Sequence, residues 1–147
     1  MTDSYYLRDA NHVPITELGL MDSKSITYAA ATTGAVGATT LFTVTGTVAV
    51  RLFAVCSVNL AGSGTIEAGI AGNTAALIAQ TTGTDIDANT IWLDTVPATV
   101  EALPALQIIG AGQDIIQTIG TDTLTGGTLK YYCLWTPIST DGNVVAA

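Results

Sequence analysis

Thr47-Val48-Ala49-Val50-Arg51-Leu52-Phe53-Ala54-Val55-Cys56-Ser57-Val58 is the stretch that decides the fold. Val48, Val50, Leu52, Ala54, Cys56 and Val58 recur at every second position. In an extended chain that period places all six on one face. Arg51 and Ser57 fall on the other face, which Phe53 and Val55 make partly apolar. The stretch therefore predicts a long strand with one face in a core. Thr45-Gly46 just before it is the clearest turn in the chain, and Thr39–Val44 on the far side of that turn is a second strand.

Outward from this hairpin the texture repeats. Short runs rich in Thr, Val and Ile predict strands at Ser25–Ala31, Thr65–Ala71, Ala75–Gln80, Thr90–Asp94, Leu106–Ile109 and Ile115–Ile119. A long final strand runs from Thr128 to Ile138, with Leu129, Tyr131, Cys133 and Trp135 alternating against Lys130, Tyr132, Leu134 and Thr136. Ala61-Gly62-Ser63-Gly64, Gly72-Asn73, Gly83-Thr84-Asp85 and Thr125-Gly126-Gly127 supply turns. Helix signals are poor, since Pro97 and Pro104 bracket the one helical candidate, Val100–Leu106. The expectation is an all-β chain, a single β-sandwich domain of jelly-roll type, with an up-and-down or immunoglobulin-like sandwich as the second choice. Residues 1–24, mixed in charge and without a period, read as an extended N-terminal arm, and residues 25–147 as the sandwich. No fixed-period repeat occurs, which excludes a β-solenoid.

The 147 residues suffice for one core. Only 11% are charged, and twelve Asp and Glu against four Lys and Arg leave a net charge of -8. Four scattered cations, Arg8, Lys24, Arg51 and Lys130, cannot neutralise a run of phosphates, so nucleic acid is excluded as a partner, and anionic membrane surfaces with it. The most apolar run, Thr47–Leu60, is too short to span a bilayer as a helix and carries Arg51. Met1–Tyr6 lacks the basic start and apolar centre of a signal peptide, so synthesis in a cytoplasm is expected. A chain with 48% hydrophobic residues and so few charges must hide apolar surface somewhere, and burial against copies of itself is one outlet.

Candidate chemistry is sparse. His12, the only histidine, sits beside Pro14 in the arm, a poor platform for a catalytic pair. Cys56 and Cys133 lie on the apolar faces of the two longest strands and read as buried free thiols, with a disulfide and metal ligation as alternatives. Asp85-Ile86-Asp87-Ala88-Asn89 opens like a calcium loop, but Thr90 stands where that loop needs Gly and Val96 where it needs a bidentate Glu. Turn-forming Asp and Asn explain the segment, and a weak ion held by Asp85, Asp87 and Asn89 is the alternative. Glu67, Asp94, Glu101 and Asp114 are the carboxylates from which a glycosidase pair would have to come. Trp92 and Trp135 could stack a sugar, although Tyr131 and Trp135 point into the core by alternation. Gly62-Ser63-Gly64 and Gly110-Ala111-Gly112 lack the third glycine and helix start of a phosphate cradle. No catalytic residue, cofactor site or metal site is assigned, and the chain is not expected to be an enzyme.

Tyr5–Pro14, Thr39–Gly46, Ala71–Ala79 and Tyr131–Pro137 give the chain a texture that resembles the small Ala/Thr/Gly-rich structural proteins of tailed bacteriophages. The resemblance implies a virion component: a capsid decoration or cement subunit, or a tail-fibre or head-fibre module that binds a host receptor. It implies a homo-oligomer, a trimer at capsid threefold positions, with the major capsid protein as partner. No functional residue is carried over. A receptor-binding module would cluster exposed aromatics on loops, whereas the aromatics here fall mostly in expected strands.

Overall fold

The computed structural model describes residues 19–147. Ten strands follow one another: β1 Leu20–Thr27, β2 Gly37–Thr45, β3 Val48–Ala61, β4 Thr65–Ile70, β5 Asn73–Thr82, β6 Ile91–Trp92, β7 Gln107–Ile109, β8 Ile115–Gly120, β9 Gly126–Pro137 and β10 Asn143–Ala146. A 3-10 turn at Gly83–Asp85 is the sole helical element among the described residues. The front sheet has the order β1-β9-β3-β6, with β7 also pairing β3, and the back sheet has the order β10-β2-β8-β4-β5. Every strand pair is antiparallel.

The order is that of a jelly roll. β4 pairs β5, β3 pairs β6 and β7, β2 pairs β8, and β1 pairs β9, so one long hairpin is wound with its tip at the β4–β5 turn. β10 is an addition beside β2. The all-β sandwich expected from the sequence is the observed fold.

Between the sheets lie the alternating residues that the sequence singled out. Val48, Val50, Leu52, Ala54 and Cys56 from β3 meet Leu129, Tyr131, Cys133 and Trp135 from β9, all buried. Phe42, Ile66, Ile78, Ile115 and Ile119 come from the back sheet. Gly46, at φ 64, makes the β2–β3 turn in the left-handed region that its missing Cβ permits. The alternation of β3 ends at a register shift between Cys56 and Val58. That bulge turns Val58 outward, 54% exposed, where unbroken alternation placed it in the core.

The core also holds a polar group. Gln117 on β8 is fully buried, and its Oε1 accepts from Tyr28 Oη and Tyr131 Oη, both at 2.8 Å. Tyr131 belongs to β9 and Tyr28 follows β1, so this amide ties the back sheet to the front one. Trp92 is satisfied, its Nε1 donating to Thr81 Oγ1 at 2.9 Å.

Strand boundaries differ from the sequence reading, and the strand expected over Ser25–Ala31 ends at Thr27, where the chain turns. β1 begins at Leu20 and pairs with β9 through Thr27, so residues 20–24 belong to the sheet and not to an arm. The reading misses this because Asp22 and Lys24 stand opposite the inward-facing Cys133 and Tyr131, inverting the usual pattern. They sit on the edge strand of the front sheet, where Lys24 Nζ reaches across to Thr40 O and Ala147 O of the back sheet side. The rest of the expected arm, residues 1–18, lies outside the described residues. The Thr90–Asp94 strand shrinks to Ile91–Trp92, and β10 has no counterpart in the reading.

Candidate interaction surface

The solvent side of the front sheet is built from the other alternation. β3 contributes Arg51, Phe53 and Val55, and β9 contributes Tyr132 and Lys130. Phe53 stands opposite Tyr132, and the rings stack with centroids 5.4 Å apart and planes at 18°. Lys130 Nζ lies 5.3 Å from the Tyr132 ring centre, a cation over an aromatic face. Arg51 stands opposite Leu134, and Leu134 opposite Met21 of β1, so the apolar strip continues to that edge. At the other edge Ile108 of β7 pairs with Ala49.

Residues 93–106 interrupt what would be one edge strand, leaving β6 and β7 as its two ends. Pro97 and Pro104 deny this segment the amide donors that a regular strand needs. It folds over the sheet instead. Arg51 Nε donates to Pro104 O at 3.1 Å, Ile91 N to Ala98 O at 2.8 Å, and Val96 N to Asp94 Oδ1 at 2.7 Å. Where it crosses β3 it leaves a pocket of about 90 Å³ lined by Phe53, Ile91, Leu93, Glu101, Ala102, Leu103 and Pro104.

Ten large apolar side chains are exposed among the described residues, and six of them belong to this face and its loop: Met21, Val96, Val100, Leu103, Leu106 and Ile108. Val100 is 85% exposed, Val96 71% and Ile108 70%. Exposed apolar side chains gathered on one face and its loop make this the candidate interaction surface. Its sequence signal was the partly apolar second face of β3; the contribution of the 93–106 loop was not legible, because loop residues carry no period.

The residues nominated for chemistry are dispersed. Cys56 and Cys133 are buried and unpaired, as free thiols were expected to be. Burial pushes the Cys133 thiol up to about 12, with the Asp22 charge adding to it, and burial raises Cys56 as well. Thiols this hard to ionise are poor nucleophiles and poor metal ligands. His12 lies outside the described residues. The Asp85–Asn89 segment is a turn against the rim of β3: Asn89, at φ 68, donates its N–H to Cys56 O at 2.8 Å, and Ala88 N donates to Asn59 Oδ1 at 2.7 Å. Among the described residues no three His, Cys, Asp or Glu side chains come together as a metal site.

Of the four carboxylates weighed for hydrolysis, three have local structural tasks. Glu67 accepts from Thr74 Oγ1, Asp94 from Val96 N, and Asp114 from Val44 N. Glu101, on the 93–106 loop, lines the pocket. Trp92, Tyr131 and Trp135 are core residues, and no aromatic side chain among the described residues is exposed. Among the described residues no helix is long and apolar enough to cross a membrane.

No protein-family model matches the chain, and no curated protein matches it. Among solved structures it is similar to a chain described as "Cyanophage Pam1 capsid asymmetric unit", at 16% identity and a TM-score of 0.42, over 79% of this chain and 82% of that one. A likeness at this level carries no argument about role.

Proposed function

We propose that this chain is a structural subunit of a tailed-bacteriophage particle: a capsid decoration or cement protein, working without catalysis. It oligomerises, as a trimer at threefold positions, attaches to the outside of the head through the major capsid protein, and stabilises it. The observation that carries the reading is the apolar face of the front sheet, with six large exposed apolar side chains on an otherwise acidic molecule. Covering such a face is favourable, and each Å² removed from water contributes about 25 cal/mol. The jelly roll suits the task, because its strands close most of their own edges and leave its faces free for contact. The lack of exposed aromatics among the described residues weighs against the receptor-binding alternative.

Particles that lack the protein test the proposal. They are expected to release DNA at lower temperature or pressure while adsorbing normally to cells. Robust particles that no longer adsorb would overturn the decoration role in favour of a fibre. Attachment is expected to survive moderate salt, because screening acts on exposed charges far more than on buried apolar surface.

A further inference from the structure

We infer that the outer face of the front sheet is covered by a second copy of this chain, with the knob of one 93–106 loop seated in the pocket of the other. This names the occupant of the surface on which the proposed function depends. Three features select a copy over another partner.

The first is charge. Every copy carries -8, so two copies repel over most of their surfaces. The apolar face is the exception. Arg51 and Lys130 balance Asp94 and Glu101 there, whereas the other seven carboxylates of the described residues have Lys24 alone against them. A basic partner would be drawn to those acidic regions and away from this neutral face. A copy that brings its 93–106 loop to this face meets no net charge.

The second is self-complementarity. Cations on the sheet (Arg51, Lys130) and carboxylates on the loop (Asp94, Glu101) give one patch both signs, so the loop of one copy meets cations on the sheet of the other. The third is shape. Val100, 85% exposed, projects from the same loop that forms an apolar hole with Phe53, Ile91, Leu93 and Leu103. Interface energy concentrates where an apolar side chain of one partner fills a dry pocket of the other.

The test uses purified full-length protein with no capsid present. Light scattering at micromolar concentration is expected to give a mass above the 15.0 kDa of one chain. Ile108→Glu and Val100→Glu each place a charge in the contact and are expected to raise the dissociation constant about tenfold or more. Both sites are exposed in the single chain, so far-UV circular dichroism is expected to stay unchanged. Val36→Glu, exposed but outside the patch, is expected to associate as the wild type does. A monomeric wild type, patch variants that still associate fully, or equal disruption by Val36→Glu would each overturn the inference. A monomer whose Ile108→Glu variant fails to bind heads assigns the face to the capsid, overturning this inference and leaving the proposed function standing.

Discussion

Replacing Gln117 with Met is the most informative single change. The two side chains have similar volume, so the core keeps its packing and the loss is polar. In the native protein Gln117 Oε1 accepts from Tyr28 and Tyr131, while its Nε2 has no partner. Gln117→Met strands two hydroxyls, in residues that are 2% and 0% exposed, at about 1–3 kcal/mol each. It also removes an unsatisfied amide, which returns about 1–3 kcal/mol, for a net loss of about 2 kcal/mol. That is a large share of the roughly 5–15 kcal/mol that holds a domain folded. Adding Tyr28→Phe and Tyr131→Phe removes every polar member of the network, and the triple variant is expected to regain most of the loss. Urea unfolding followed by tryptophan fluorescence reads the effect, since Trp92 packs edge-on to Tyr131 with centroids 6.2 Å apart. A single variant as stable as the wild type, or a triple variant less stable than the single one, would refute the reasoning.

Alkali is expected to destabilise the fold. The Cys133 thiol rises from 9.0 to about 12 on folding, chiefly through burial, so the unfolded chain releases its proton first. Stability is then fully present below pH 9.0 and is lost as pH climbs toward the folded value, by about 2 kcal/mol at about pH 10.5. The buried Tyr28 and Tyr131, also raised, steepen the loss above pH 10.0. Urea midpoints across this range check it, and Cys133→Ala should flatten the profile. Thiol reagents should modify Cys56 and Cys133 fully only after denaturation, with reductant leaving the melting temperature unchanged; a drop on reduction would indicate a bridge. Gly127→Ala is expected to cost more than about 2 kcal/mol, because its φ is 105 and a Cβ there would stand 2.5 Å from Leu60 Cδ2 and 2.6 Å from Asn59 O. A Gly127→Ala midpoint equal to the wild type's would show that β9 can shift to accept it.

Where one face of a strand is buried and the other wet, the sequence says so, and β3 and β9 are legible for that reason. The features that escape reading are those where tertiary contacts overrule the period. Val58 leaves the core because a bulge adds a residue, and no residue type announces it. Asp22 and Lys24 occupy inward positions on the edge strand of the front sheet, where Lys24 finds Thr40 O and Ala147 O as partners. Gln117 sits in the middle of Ile115–Ile119 on the buried face, tolerated because two tyrosines distant in sequence donate to it. β10, with Val144 as its one buried residue, is too short to display a period. The interaction surface was half legible: Phe53 and Val55 gave the second face of β3 its apolar character, and the loop that completes it is irregular.

The winding of the jelly roll links assembly to stability. Pairing begins at the β4–β5 tip, where Ile70 meets Asn73, and ends at β1–β9, where Thr27 meets Thr128 across 101 residues. Closing the outermost pair costs about 3 kcal/mol more loop entropy than closing the tip. That pair lies in the front sheet, the one whose outer face and loop carry six of the exposed apolar side chains. A copy seated there contacts β9, β3 and the β1 edge together, and so clamps the pairing that is hardest to close. Because the partner binds the folded chain only, it adds RT ln(1 + [L]/Kd), about 2.7 kcal/mol at a hundredfold excess over Kd. The melting temperature should therefore rise with protein concentration, and Ile108→Glu should abolish the rise while leaving the dilute-limit value unchanged. Calorimetry over a wide concentration range decides the matter. Melting independent of concentration, in protein that light scattering finds associated, would show that the contact lies away from the front sheet or forms equally well in the unfolded chain.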